Sequence, residues 1–356
     1  MPKKSVGIKV RKINAGKTIV IANKLELVDK VLEIQKDRNF VYVPLTHQPS
    51  EDELEEFRSQ VADAKVSNYS FEERVRRVAT LAELLAGKLA PHIIAALPHS
   101  ADIVGSIAII ELSPELESHR DVIGNAILKL NKNVRTVLAK ASAVSGTYRL
   151  RELRVIAGEP NTVTIHREYG CKYYVDLAKA YFSPRLSYEH HRVASLVREG
   201  ETVIDLFAGV GPFAVQIARA REDVKIYAVD ANPYAIEFLK KNVRLNRVEN
   251  KVSPILGDAA EVVGEKMCGI ADRVIMNLPE KAIEFVCASC KALRPAGGVI
   301  HFYGFAKASE PLGSMEVRFA GTVEQCGRKV EKVLFSRLVR ATAPYEWQFV
   351  LDAQII

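Results

Sequence analysis

The chain has 356 residues, 48% hydrophobic and 26% charged, with a formal net charge of +7. That balance suits a soluble globular chain long enough for two or three cores, and no apolar run approaches the length that spans a bilayer. The opening MPKKSVG lacks an apolar signal core, and five cysteines (Cys171, Cys268, Cys287, Cys290, Cys326) fit a reducing compartment, so a cytoplasmic protein off the membrane is expected.

In chain order, GIKVRKI, KTIVIAN and FVYVPL read as strands of a small α/β unit, with a helix over Leu25–Gln35. After a polar run through Pro49, Ser50 and Glu53 have the spacing of a capping box, so a helix should start there. A first boundary falls near residue 65. Helices are expected over Phe71–Ala86 and Lys88–Ala96, and LPHSADIVGSIAIIEL reads as a turn around Pro98 and Gly105 running into a strand. Residues 114–131 form a helical pattern with the stripe Val122, Ile123, Ala126, Ile127 and Leu130. RTVLAKA, RELRVIAG, TVTIHREYG and CKYYVDL alternate as strands, which makes residues 66–180 an α+β domain. From 181 to 356 strands and helices alternate as βαβ units, the pattern of a parallel sheet covered on both faces, and the last two strands read as an antiparallel edge pair. Cys287 and Cys290 form a CxxC without a second pair; buried helix cysteines are the better reading, and no metal is expected. His99, His166 and His301 are isolated and receive no role.

Charge placement adds a partner. Residues 1–46 carry ten Lys/Arg against four Asp/Glu, and residues 128–154 carry seven against one. Two basic segments outside the βαβ region suggest a polyanion, most simply nucleic acid, against the alternative of solvated charged faces.

The most informative stretch is VIDLFAGVGPF, Val203–Phe213. An apolar strand ends in Asp205, the chain turns through Gly209 and Gly211, and a helix follows. Glycines there let backbone approach a ligand, and the helix N-terminus offers free N–H donors. The pattern is not GxGxxG. A second strand ends at Asp230, placed to accept ribose hydroxyls; GDA (Gly257–Ala259) and NLP (Asn277–Pro279) close two more strands. Four strand-end signals in series are what a site for S-adenosylmethionine (AdoMet) needs.

These motifs, with YFSPRLSYEHHR (Tyr181–Arg192) and NLPEKAIEF (Asn277–Phe285), resemble the archaeal-type Trm5 family of tRNA (guanine-37-N1)-methyltransferases. The middle LPHSADIVGSIAII and the N-terminal unit resemble the same family, so the likeness covers nearly the whole chain. It implies a Rossmann-like class I AdoMet-dependent methyltransferase domain at 181–356. An α+β RNA-binding and catalytic-support domain at 66–180 and a small N-terminal α/β domain at 1–65 precede it, the latter gripping the tRNA elbow while the others handle the anticodon loop. A monomer is the default.

Methylating guanine N1 requires removing its proton and stabilising the charge that spreads to O6. Glu189 is the candidate base, Arg149 the cation for O6, and Asn277 and Pro279 the loop facing the methyl group. The resemblance places the cofactor against His190, Asp205, Phe207, Gly209, Gly211, Asp230, Ala231, Asp258, Ala259 and Asn277; His190 stands where the family commonly has Arg, so its backbone is the expected contact. Plain alternatives stay open: Glu189 as a helix-start acid, Arg149 as a phosphate contact, Asn277 as a helix cap. Two other functions remain: a wybutosine-pathway enzyme at the same nucleotide (aminocarboxypropyl transfer or a second methylation), or an inactive tRNA-binding protein.

Overall fold

The computed structural model describes residues 2–73, 80–98, 100–142, 146, 148–307 and 309–356, and divides into two compact units, Met1–Ala79 and Thr80–Ile356.

The first unit contains β1 (Lys3–Arg11), α1 (Ala15–Lys24), β2 (Gln35–Lys36), β3 (Phe40–Pro44), α2 (Glu51–Gln60) and β4 (Lys65–Phe71). Its antiparallel sheet runs β2-β3-β1-β4 over a core of Ile8, Val10, Ile21, Leu27, Val43, Leu45 and Phe57. The Ser50–Glu53 capping box forms: the Ser50 hydroxyl accepts from the Glu53 N–H, and the Glu53 carboxylate accepts from the Ser50 N–H at 2.7 Å. Two local expectations are overturned. KTIVIAN lies in helix α1, which buries Thr18, Ile21 and Ala22 while Val20 stands exposed; helical spacing against the sheet outweighs the strand preference of its β-branched residues. The helix expected at Leu25–Gln35 is instead an irregular segment running into β2. Glu26 there has φ +55°, and backbone bonds from Asp29 to Pro44 and from Thr46 to Leu27 tie the segment to the end of β3.

The second unit opens with α3 (Leu81–Leu85), α4 (Pro91–Ala95), β5 (Asp102–Val104), β6 (Ile107–Ile110), α5 (Arg120–Leu130), β7 (Thr136–Lys140) and β8 (Leu153–Gly158). The strands form a sheet in that order, and α5 packs Ile123, Ala126 and Ile127 into its core. Val122, assigned to the same stripe, is exposed. The expected Phe71–Ala86 helix falls partly outside the described residues; within them Phe71 ends a strand and only Leu81–Leu85 is helical, while the next helix is shortened to start at Pro91. His99 lies outside them as well. A hairpin of β9 (Val163–Glu168) and β10 (Cys171–Asp176) follows.

The remainder alternates as expected: α6 (Ser187–Leu196), β11 (Thr202–Asp205), α7 (Pro212–Ala220), β12 (Lys225–Asp230), α8 (Pro233–Leu245), β13 (Val252–Leu256), α9 (Ala259–Lys266), β14 (Arg273–Met276), α10 (Val286–Ala292), β15 (Gly298–Lys307), α11 (Leu312–Gln325), β16 (Val330–Ala343) and β17 (Glu346–Ile355). The seven-stranded sheet runs β13-β12-β11-β14-β15-β17-β16, parallel through β15 and antiparallel for the last two strands. Apolar clusters cover both faces, with Val203, Ala228 and Ile275 turned into one and Ile204, Val229 and Met276 into the other. This is the Rossmann-like architecture. The CxxC does not act as a pair: Cys287 is disulfide-bonded to Cys326, joining α10 to the end of α11, while Cys290 is a buried free thiol whose pKa burial pushes up to about 11. Among the described residues no His/Cys/Asp/Glu group could hold a metal, and no helix is long and apolar enough to cross a membrane.

Candidate active site

Four parallel strands (β11, β12, β13, β14) end at one edge of the sheet, and their following turns surround an inner cavity of about 260 Å³. Ligands in open α/β sheets bind at that edge because the strand-to-helix turns leave backbone donors unpaired there. In the first turn Gly209 and Gly211 have φ +54° and +90°. Gly211 holds a left-handed φ that L side chains rarely adopt, and a Cβ there would also press on the Leu239 methyl; around Gly209 the nearest atom is 3.9 Å away, so its backbone is open. Gly209 lines the cavity, and Gly211 does not.

Asp230 is fixed by backbone: its carboxylate accepts from the Gly209 N–H at 2.7 Å and the Asn232 N–H at 2.8 Å. Burial raises its pKa against those two bonds. Asp230, Ala231, Asp258, Ala259, Phe207 and Asn277 all line the inner cavity. Asp258 spends one carboxylate oxygen capping α9 through Ala260 and Glu261, and the Asn277 oxygen accepts from Gln348 at 3.3 Å. Asp205, at the end of β11, is completely buried and outside the lining; neither carboxylate oxygen has a hydrogen-bond partner. Burial, aided by the charge of Asp230, lifts its pKa to about 8. Pro279 sits between lining residues Leu278 and Glu280 without lining the cavity itself.

An outer cavity of about 700 Å³ adjoins the inner one, and Arg149, Tyr181 and Glu280 border both. Its wall carries Lys140, Arg151, Arg185 and Arg340. Arg149 takes the uncommon φ of +54°, its guanidinium lies 5.2 Å over the Tyr181 ring, and its Nη2 stands 3.4 Å from a Glu280 oxygen. Arg340 donates to the hydroxyls of Ser183 (3.1 Å) and Tyr181 (3.3 Å), fixing the hydroxyl end of that ring.

Glu189 is not brought to either cavity. On the first turn of α6 it is fully buried, accepting from the Tyr303 hydroxyl (2.9 Å), from Arg192 (2.9 Å) and from Arg337. Burial holds the Tyr303 pKa well above its ordinary value, so the phenol remains a donor. Arg192 also pairs with Asp352, which meets His301 Nδ1 at 2.6 Å; His301 Nε2 lies 2.8 Å from Arg273, itself paired with Glu201. Arg273 can only donate, so Nε2 accepts and the His301 proton belongs on Nδ1, toward Asp352. Burial lowers the His301 pKa, and although burial opposes it, His301 and Arg192 keep Asp352 down at about 2.

His190 is likewise buried and turned from the inner cavity, its Nδ1 2.8 Å from Glu168, which also accepts from Gln216. The His190 imidazole is therefore part of a packing network with Glu168 and Gln216. His301 and His166, given no role, are both hydrogen-bonded. Sequence reasoning missed Glu280, Tyr303, Arg337 and Arg340. Glu280 lies inside the NLPEKAIEF motif; the other three carry no local signal.

Three family descriptions match successive parts of the chain: tRNA methyltransferase 5 N-terminal domain at residues 7–53, TYW2 N-terminal domain at 81–162, and TRM5/TYW2 methyltransferase domain at 164–331. Among curated relatives, the tRNA (guanine(37)-N(1))-methyltransferase Trm5b of Pyrococcus abyssi is 39% identical over 93% of both chains, and that of Methanocaldococcus jannaschii 35% identical over 98% of both. The tRNA 4-demethylwyosine(37)-methyltransferase Taw21 of Saccharolobus solfataricus is 37% identical over 70% of this chain and 92% of its own. Similar solved structures include Trm5b of Pyrococcus abyssi (TM-score 0.75, 37% identity, 99% of both chains) and a complex of aTrm5 with tRNALeu (TM-score 0.68, 34% identity, 99% of this chain and 100% of that one). TYW2 of P. horikoshii in complex with MeSAdo has TM-score 0.64 at 28% identity, covering 78% of this chain and 98% of that one.

Proposed function

The chain belongs to the Trm5 family of tRNA methyltransferases, and on that premise we propose that it methylates N1 of guanine 37 in tRNA, with AdoMet as methyl donor. The observation that carries the reading is the shared wall of the two cavities. It sets Arg149 and Tyr181, which border both cavities, beside Asp230, Asp258 and Asn277 of the inner one.

The residues fit the cofactor. AdoMet supplies a methyl group on a sulfonium and carries an ammonium, a ribose and an adenine. Asp230, already oriented by two backbone bonds, has lone pairs left for ribose hydroxyls; Asp258 and the Ala231 and Ala259 backbones serve the adenine; Phe207 offers an apolar face. Asp205 ends β11 just before the glycine turn, buried and outside the cavity lining, so its part is to shape that turn. Arg149 donates to O6 as negative charge spreads onto it, and Asn277, with Pro279 stiffening its loop, orients the base.

Glu189 takes the N1 proton. Its partner Tyr303 and the cavity residue Phe305 are alternate residues on β15, roughly 7 Å apart on one face. Acting as base requires the carboxylate to leave Tyr303 and Arg337 and swing toward the outer cavity; catalytic hydrogen bonds often tighten only with substrate present. The basic N-terminal domain, read as residues 1–65, grips tRNA away from the anticodon loop.

A second reading, methylation of a 4-demethylwyosine at the same nucleotide, is favoured by the Taw21 relative. Incubation with AdoMet and tRNA carrying G, A or 4-demethylwyosine at position 37, followed by nucleoside mass spectrometry, separates the two. 1-Methylguanosine formed only on the G37 tRNA supports the first, and product only on the demethylwyosine tRNA overturns it.

A further inference from the structure

We propose that Arg337 is a latch: it holds Glu189 in its withdrawn position, and a backbone phosphate of the RNA draws it off as tRNA seats. This rests on the reading of Glu189 as the N1 base and adds the positioning residue that controls it.

The two oxygens of Glu189 are held differently. Oε2 accepts from the Tyr303 hydroxyl and from Arg192 Nε, both at 2.9 Å, whereas Oε1 accepts from Arg337 Nη2. Tyr303 is fully buried, and Arg192 is anchored by a second carboxylate, Asp352, so neither donor is free to move. Arg337 reaches in from the edge strand β16, its side chain 37% exposed, and Glu189 is the carboxylate it pairs with. Its guanidinium lies 4.6 Å over the ring of Tyr188, itself exposed, and its Nε is buried without a hydrogen-bond partner. Arg337 is therefore the partner that can swing out to solvent. Its departure frees Oε1 while Arg192 still neutralises the carboxylate, and the bond from Tyr303, a neutral donor, is the weaker one left to break.

Strand register sets the latch beside the substrate side. Val350 of β17 pairs with both Arg337 and Tyr303, and Gln348 with both Arg340 and Phe305. Val350 and Gln348 are alternate residues, so Arg337 and Arg340 share one face of β16, in rows roughly 7 Å apart. The register shift between Leu338 and Arg340 lets residues three positions apart do so. Arg340 and Phe305 line the outer cavity with Lys140, Arg151 and Arg185. RNA drawn to that basic wall brings phosphates toward Arg337, and a phosphate competes well with a carboxylate for a guanidinium fork. Part of the RNA binding energy is thereby used to uncover the base once substrate is in place.

The test measures single-turnover methylation of a G37 tRNA transcript at saturating tRNA and AdoMet. It compares the full-length wild type, Arg337→Gln, Arg337→Lys, Glu189→Gln and the Arg337→Gln/Glu189→Gln double variant. Because the phosphate competes with a buried carboxylate, part of the bound wild type stays closed. Arg337→Gln should therefore speed the step by roughly 3- to 10-fold, as when a competent fraction of about a third to a tenth is raised to one. Its tRNA affinity should fall, and the slope of log affinity against log salt should lessen by about one, since one phosphate contact is gone. Arg337→Lys keeps the charge without the planar fork and should give a smaller gain; it is the variant to read if Arg337→Gln does not fold. The gain should vanish in the Glu189→Gln background, where no base is left to free. A rate unchanged or lowered in both Arg337 variants overturns the latch and makes Arg337 a fixed support of Glu189. A gain that survives Glu189→Gln overturns it too. Glu189→Gln running at the wild-type rate refutes the base assignment and the latch with it, whereas a wild type inert on G37 tRNA refutes the guanine-37 function itself.

Discussion

The inner and outer cavities meet at Arg149, Tyr181 and Glu280, yet they are built from different material. The inner one is made mostly at four neighbouring strand ends within residues 206–285, largely from turns and backbone: Gly209, the Asp230 carboxylate pinned by two N–H groups, the Asp258 cap of α9. The outer one is made by side chains converging from Asp102, Lys140, Arg149, Arg185, Arg340 and Glu346. A backbone-built site is rigid and leaves short motifs, because each turn demands particular residues at particular spacings. A side-chain-built site needs only long polar residues arriving from anywhere, so it is adjustable and leaves almost no pattern. The contrast predicts chemistry-level losses from the substrate side and binding-level losses from the cofactor side.

The largest effect is expected at Glu189. Replacement by Gln keeps its shape and removes its basicity, so single-turnover methylation of G37 tRNA should fall by roughly 10²- to 10⁴-fold with AdoMet affinity little changed. A near-normal rate would show that the buried carboxylate never swings forward and that the base lies elsewhere.

Next is the pH response of the buried strand end beside the inner cavity. With a folded pKa of about 8 against an ordinary 3.8, Asp205 holds a proton in the folded protein that the unfolded chain releases. Its contribution is therefore fully favourable below about pH 4, declines as pH rises through that window, and levels off above about pH 8. Asp205→Asn should flatten this decline in urea midpoints measured at pH 5 and pH 8.5. An unchanged slope would mean that water or a cation already serves those two oxygens.

A smaller loss follows from Asp230→Ala, which should weaken AdoMet binding by about 1–3 kcal/mol in calorimetry while tRNA affinity persists. Equal losses for both ligands would erase the division between the cavities. The smallest effect belongs to the exposed lysines of the first unit. Lys12→Ala with Lys17→Ala should lower tRNA affinity and reduce the slope of log affinity against log salt by about one for each phosphate no longer neutralised. An unaltered slope would make that basic surface a solvated face only.

Legibility follows the same division. Ser50–Glu53, the glycine turn, Asp230, GDA and NLP are readable because cap, turn and strand-end chemistry act within a few residues. KTIVIAN reads as a strand because its β-branched residues favour one, while its 18, 21, 22 spacing buries a helical face, and only the sheet beneath decides between them. Glu280 stands inside a recognisable motif but gains meaning from Arg149, 131 positions earlier in the chain.

By itself the sequence determined the order of strands and helices in the βαβ region, the strand ends that hold the inner cavity, and the family. Hydrophobic period and turn residues are local quantities and survive in one dimension. Only the tertiary structure decided that Glu189 is drawn away from the cavities by Tyr303, Arg192 and Arg337, that His190 turns to Glu168, that Asp205 is left without a partner, and that Cys287 meets Cys326. Each depends on partners that reach the site from distant segments, and a buried polar group takes whichever partner the packing delivers, since leaving it unpaired costs more than choosing among them.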